Sequence, residues 1–145
     1  MSLSPAMASI LVIDDEPELR DVFSSILRRA GHEVLVASGA REGLATFYRY
    51  CPDVVITDVI LPDESGLNLI LELTRDQTAA VIVVSGSDTV GGGDLLGFAT
   101  LFGACRALRK PVLRAELMAV IDDVLGQKPS RDDSGDGTSG FRQLA

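Results

Sequence analysis

Positive charge is scarce in this chain: 13 lysines and arginines stand against 21 aspartates and glutamates, a formal net charge of -8 at pH 7. A surface of that sign repels the phosphate backbone that a nucleic-acid reader must neutralise, so direct DNA or RNA binding is not expected. Cysteine is scarce as well. Cys51 and Cys105 are the only two, they form no CxxC pair, and His32 is the only histidine, so zinc sites and thioredoxin-type redox chemistry lack their residues. Two small core-filling thiols in a reducing compartment is the simpler expectation. The longest weakly polar run, residues 95–105, lies between Asp94 and Arg106 and falls well short of the roughly 20 apolar residues of a spanning helix, so no membrane crossing is expected. No charged region followed by an apolar core and a small-residue cleavage site opens the sequence, which points to a cytoplasmic address. Residues 1–7 read as a disordered or cloning-derived terminus, with Met7 the natural start.

What the chain does contain is a regular alternation. With 145 residues, 46% of them hydrophobic, it has the material for one domain with a buried core and no need of disulfides. Short β-branched or aliphatic stretches at residues 9–13, 33–37, 53–57, 80–84 and 105–108 read as five strands. Between them lie helical patterns. The first sets Leu19, Val22, Phe23, Ile26 and Leu27 against Glu18, Arg20, Asp21, Arg28 and Arg29 and stops at Gly31. The others fall at about residues 40–49, 67–75, 94–102 and 113–125. Five strand–helix alternations predict an α/β, doubly wound (βα)5 sandwich: a parallel five-stranded sheet of flavodoxin-like order 2-1-3-4-5, occupying residues 8–126. After Leu125 the composition turns to GQKPSRDDSGDGTSG, too polar to bury a core, so residues 127–145 read as a disordered tail. Phe141 and Leu144 near its end are a weak signal for a docking motif, against the simpler reading of an inert terminus.

The carboxyl ends of parallel strands open into the crevice where α/β proteins place their ligands. Here strand one ends in Asp14 and Asp15, strand three in Asp58, strand four in Ser85, and strand five runs into Arg109, Lys110 and Pro111. Each residue has a simpler role available: Asp14 and Asp15 as caps of the next helix, Asp58 at a turn, Lys110 as a solvated lysine. Their joint placement after four strands argues for a shared site. If strands one and three are neighbours, three carboxylates crowd together and repel. A hard divalent cation resolves that repulsion, and Mg²⁺ suits a few carboxylates plus a phosphate oxygen. A carboxylate nucleophile then forms an acyl phosphate, with Lys110 neutralising charge and Ser85 donating a hydrogen bond.

At this point the sequence resembles the receiver domains of two-component response regulators over about residues 8–125. The resemblance is carried by LVIDDEPELR, DVVITDVILPDESGLNLI, VIVVSG and GACRALRKPV, with Pro62 and Gly66 at the family's spacing after Asp58. It implies that Asp58 is the phosphoryl acceptor, that Asp15, Asp58 and the Ile60 backbone carbonyl bind Mg²⁺, and that Asp14 acts through a metal-bound water. It further implies that Lys110 pairs with the phosphoryl group, that Ser85 senses it, and that the Lys110–Pro111 peptide is cis, chemistry nearly confined to X-Pro bonds. The donor would be a sensor histidine kinase or histidine phosphotransfer protein, and the output an altered interaction with a downstream protein whose identity no motif gives. Such a chain is not an enzyme beyond its own phosphorylation and dephosphorylation.

One departure stands out. Three residues before the lysine, where the family usually carries Tyr or Phe, this chain has Ala107, so the aromatic switch is missing. Gly91, Gly92 and Gly93 lower the cost of rearranging the loop after strand four and offer another route for the signal, or are simply a flexible loop. Ala107 also keeps open a degenerate receiver that acts as a phosphorylation-independent interaction module. Leu95, Leu96, Phe98, Leu101 and Phe102 give the fourth helix more apolar positions than one buried stripe uses; core packing accounts for most of them, and part of the helix is left to face a partner or a second copy of the chain. Aspartate phosphatases are excluded by the lack of a DxD pair, and dinucleotide binding by the lack of GxGxxG after strand one. His32, beside Gly31, is expected in a surface turn remote from the aspartates.

Overall fold

Apolar residues in five short runs dominate the fold of the computed structural model, which describes residues 7–86, 89–90, 93–94, 97 and 103–126. The strands are β1 (Ser9–Ile13), β2 (Glu33–Ala37), β3 (Val54–Asp58), β4 (Ala80–Ser85), the two-residue β5 (Thr89–Val90) and β6 (Gly93–Asp94), and β7 (Arg106–Arg109). The helices are α1 (Pro17–Arg29), α2 (Ala40–Tyr50), α3 (Gly66–Thr74) and α4 (Arg114–Gly126). β2, β1, β3, β4 and β7 form one parallel sheet in that order, which is 2-1-3-4-5 when only its own strands are counted. The doubly wound fold expected from the alternation is the one present.

Two buried faces explain why the central strands β1, β3 and β4 lack polar alternation. Leu11, Ile13, Val55, Val81 and Val83 join Phe47 of α2 and Leu69, Ile70 and Leu73 of α3 in one cluster. Their alternate neighbours Ile10, Val12, Ile56, Ile82 and Val84 are equally buried on the other face, by the period of two along a strand. There α1 packs along β1 and β2 and buries Phe23 and Leu27. Pro17 opens α1, Glu18 sits in its first turn and Arg28 and Arg29 in its last, matching the helix dipole. Gly31, at φ 96°, supplies the left-handed turn that ends it. The chain divides into two units at Val112 and Leu113, and in the second unit α4 buries Leu117, Ile121 and Val124, one helical face. Among the described residues no helix is long and apolar enough to cross a membrane.

Three expectations are corrected. Cys51 and Cys105 do not fill the core: both are exposed free thiols, because Cys51 ends α2 in a left-handed turn and Cys105 precedes the edge strand β7. The fourth helix was expected to start at Asp94, but Asp94 pairs with Thr89 in the antiparallel β5–β6 hairpin, an extended backbone that no helix N-terminus can share. The rest of residues 94–102, apart from the helical Gly97, lies outside the described residues, as do residues 1–6, Gly91, Gly92 and the 127–145 tail with Phe141 and Leu144. His32 is not on the surface. It is 7% exposed, because the Gly31 turn folds it back beside β1, where its Nδ1 accepts the Ala8 N–H at 3.1 Å. It lies at the amino ends of the strands, away from the aspartates, as expected.

The glycine that opens α3 is required by space. A Cβ on Gly66 would stand 1.9 Å from the Val59 carbonyl oxygen, a main-chain atom that cannot step aside. Gly66→Ala should therefore destabilise the chain by about 1–3 kcal/mol or more, as overpacking does. Gly126→Ala, where a Cβ meets nothing within 4 Å, should stay within about 0.5 kcal/mol. Urea unfolding of both variants checks the pair.

Candidate functional site

Sheet order decides which side chains meet. With β1 beside β3, β3 beside β4 and β4 beside β7, the residues at their carboxyl ends share one edge of the sheet. Asp14 and Asp15 follow β1, Asp58 is the last residue of β3, Ser85 the last of β4, and Lys110 follows β7. Carboxylate oxygens of Asp14, Asp15 and Asp58 lie within 4.8 Å of one another. Asp14 and Asp58 are buried, whereas Asp15 is exposed. Ser85 is fully buried, and its carbonyl accepts the Lys110 N–H at 2.9 Å.

Lys110 closes the cluster. Its Nζ donates to Asp14 Oδ2 at 3.1 Å and to Asp58 Oδ2 at 2.9 Å. Burial alone would favour the neutral amine, but the hydrogen bonds and charges of Asp58 and then Asp14 outweigh it, so the pKa is raised above the ordinary lysine range. The second oxygen of each buried aspartate is engaged by main chain. Asp14 Oδ1 accepts the Glu16 N–H at 2.9 Å and Asp58 Oδ1 accepts the Ile60 N–H at 3.1 Å. Asp14 does not cap α1, whose N-cap Glu16 has no side-chain cap bond; one of its oxygens closes a turn onto the Glu16 N–H and the other belongs to the cluster.

One ammonium against three carboxylates leaves two negative charges uncompensated in the fully ionised set. Hard oxygen donors carrying that deficit, with the exposed Asp15 carboxylate open to water, fit a divalent cation such as Mg²⁺. Zinc, which prefers nitrogen and sulfur, fits poorly.

The remaining expected positions surround this core. The Lys110–Pro111 peptide is cis. Pro62 lies in the exposed stretch of the loop between β3 and α3, whose ends are drawn together by an isolated antiparallel bridge between Ile60 and Ser65. The Ile60 side chain is half exposed. Ala107 pairs in register with Val83 and packs, partly buried, against the core cluster. Two contributors were missed from the sequence. Arg20 Nη1 donates to the Asp14 carbonyl at 2.6 Å, and Asp63 in the β3–α3 loop accepts main-chain N–H groups of α2. Arg20 read only as part of a polar helix face, and nothing local marks Asp63 except its place after Pro62.

The family model described as the response regulator receiver domain matches residues 10–122. The chain is 33% identical over 133 residues to the sensory transduction protein RegX3 of Mycolicibacterium smegmatis, covering 89% of this chain and 55% of that protein. It therefore spans about half the length of that relative. Against Protein PilH of Pseudomonas aeruginosa it is 32% identical over 120 residues, covering 82% of this chain and 98% of PilH. Among solved structures, a response regulator receiver domain protein from Clostridium thermocellum superposes with a TM-score of 0.77 at 38% identity, over 84% of this chain and 97% of that one. A CheY-like receiver domain protein from Methanospirillum hungatei gives 0.78 at 28% identity, over 84% and 96%.

Because the pKa of Lys110 is raised on folding, the stability it supplies is complete below the ordinary value of 10.5 and is lost as pH rises through the elevated folded value. Lys110→Ala should cost about 1–3 kcal/mol at pH 7, the penalty of leaving a buried charged group without its partner. In urea unfolding across pH 7 to 11.5, the gap between the native chain and this variant should narrow at the alkaline end.

Proposed function

This chain belongs to the response regulator receiver family, and from that premise we propose that it accepts a phosphoryl group on Asp58 in a Mg²⁺-dependent reaction and signals through the protein surface that this changes. The observation that carries the reading is the Lys110 ammonium shared between Asp14 and Asp58 beside an unbalanced Asp15. Asp58 is the nucleophile. Its carboxylate oxygen attacks the phosphorus of a phosphohistidine on a sensor histidine kinase or phosphotransfer protein, the P–N bond breaks, and an aspartyl phosphate forms. Asp15, Asp58 and the Ile60 carbonyl would hold Mg²⁺, with Asp14 acting through a water. The cation supplies charge neutralisation for the transferring phosphoryl oxygens.

Lys110, on a flexible stem, passes its ammonium from the Asp58 carboxylate to the phosphoryl group, and Ser85 at the end of β4 hydrogen-bonds a phosphoryl oxygen. Beside the site, Leu19, Val22, Phe23, Pro111 and Val112 line an open groove of about 590 Å³, an apolar surface where a donor protein can seat next to Lys110. The chain turns over only its own phosphoryl group, acts in the cytoplasm, and passes the signal to a downstream protein or a second copy of itself. Ala107 favours one other reading, an interaction module that works without phosphorylation, since the aromatic switch of the family is missing there.

Intact mass after incubation with acetyl phosphate and Mg²⁺ separates the two. A phosphoryl-sized gain in the native chain, absent in Asp58→Asn and without Mg²⁺, is expected. No gain in a chain that demonstrably binds Mg²⁺ would leave the interaction module as the better reading.

A further inference from the structure

The loop that follows Asp58 is fastened at its base and at its tip. At the base, Gly66 lies under the Val59 carbonyl and Ile60 pairs with Ser65. At the tip, Asp63 reaches out of the loop to another element. Its Oδ1 accepts the Ala40 N–H at 2.9 Å and its Oδ2 the Arg41 N–H at 3.0 Å. These are the first two residues of α2, and the N-cap position itself, Gly39, has no side chain to offer them. A helix is usually capped by the residue just before it. Here the cap comes from 23 and 22 residues along the chain, so the bonds that satisfy the helix also tie the loop to it.

The tether is well made. The two N–H groups, with the positive end of the helix dipole behind them, hold the Asp63 carboxyl below the usual carboxylate range. A Cβ at residue 39 would stand 3.0 Å from Asp63 Oδ1, so glycine there leaves the carboxylate its room. A second carboxylate serves the same end of α2 differently. Glu42 Oε1 accepts the Ser38 N–H at 2.8 Å and the Ser38 hydroxyl at 2.9 Å, but these bonds tie α2 to the residue just before its N-cap and leave the β3–α3 loop untouched.

The base of the loop carries the main-chain group that the cation needs. The Ile60 N–H is bound to Asp58 Oδ1, so this residue is the link between acceptor and loop. We propose that Asp63 is a positioning residue for the phosphoryl-transfer site: by anchoring the loop tip to α2 it fixes the Ile60 main chain where its carbonyl must meet the divalent cation. The inference rests on the reading of Asp14, Asp15 and Asp58 as a cation site, and it assigns to Asp63 a role in metal affinity rather than in contact with metal or phosphoryl group.

Calorimetric titration of the full chain with Mg²⁺ tests it. Asp63→Ala should weaken binding about tenfold, the scale seen when a residue supporting a metal ligand is lost. Glu42→Ala removes a carboxylate from the same helix end without releasing the loop, and should stay within about twofold. Asp63→Asn loses the charge but keeps one acceptor oxygen, and should weaken binding by less than about threefold. A readout without metal runs beside it: amide exchange at Ile60 should quicken by about tenfold in Asp63→Ala and not in Glu42→Ala.

The proposal is overturned if Asp63→Ala leaves either Mg²⁺ affinity or Ile60 exchange unchanged, or if Glu42→Ala matches it in both. It is overturned equally if Asp63→Asn weakens Mg²⁺ binding as much as Asp63→Ala, since charge and not the tether would then be responsible. A native chain that binds no Mg²⁺ contradicts the cation reading instead, and Ile60 exchange then decides the tether by itself.

Discussion

The Lys110 ammonium, bonded at once to Asp14 and Asp58, is the contact on which the site depends. It joins residues 96 and 52 positions apart, and it exists only because the sheet places β7 two strands from β3 and three from β1. A different strand order would leave two buried carboxylates without a counter-charge. The same contact defines the chemistry. Lys110 offsets one negative charge of three, and the remainder suits the divalent cation of the proposed reaction, which would assist transfer of an anionic group.

Around this contact the chain spends main-chain hydrogen bonds on rigidity. Asp14 Oδ1 and Asp58 Oδ1 each take an N–H two residues on, which fixes both carboxylates and leaves the opposite oxygens for Lys110. Arg20 holds the Asp14 carbonyl from α1, and Asp63 ties the loop after Asp58 to the first N–H groups of α2. The two loops that carry the aspartates are thus each anchored to a neighbouring helix, and a transfer site gains speed chiefly from such preset geometry.

Most of the fold and of the reacting set could be read in the sequence because both follow local patterns. The five strands appear as short β-branched or aliphatic runs, and the reactive residues sit at the same end of four of them, so the parallel topology alone brings Asp14, Asp15, Asp58, Ser85 and Lys110 to one edge. What escaped was set by tertiary contact. His32 is buried because a turn returns it to Ala8, Asp63 caps a helix from a distant loop, and the β5–β6 pairing takes Asp94 out of the expected helix. None of these has a periodicity or spacing of its own, since each depends on what the fold brings alongside. Ala107 is the reverse case: its departure from the family was plain in the sequence, and the structure shows the small side chain settled against the core beside Val83.

A crystal structure of the chain with Mg²⁺ and beryllofluoride, an acyl phosphate mimic, tests the central claim most directly. The account predicts the mimic on Asp58, the cation against Asp15, Asp58 and the Ile60 carbonyl, and Lys110 Nζ moved from the Asp58 carboxylate to a fluoride. Lys110 still shared between Asp14 and Asp58, with neither cation nor mimic among the three aspartates at saturating concentrations, would contradict it.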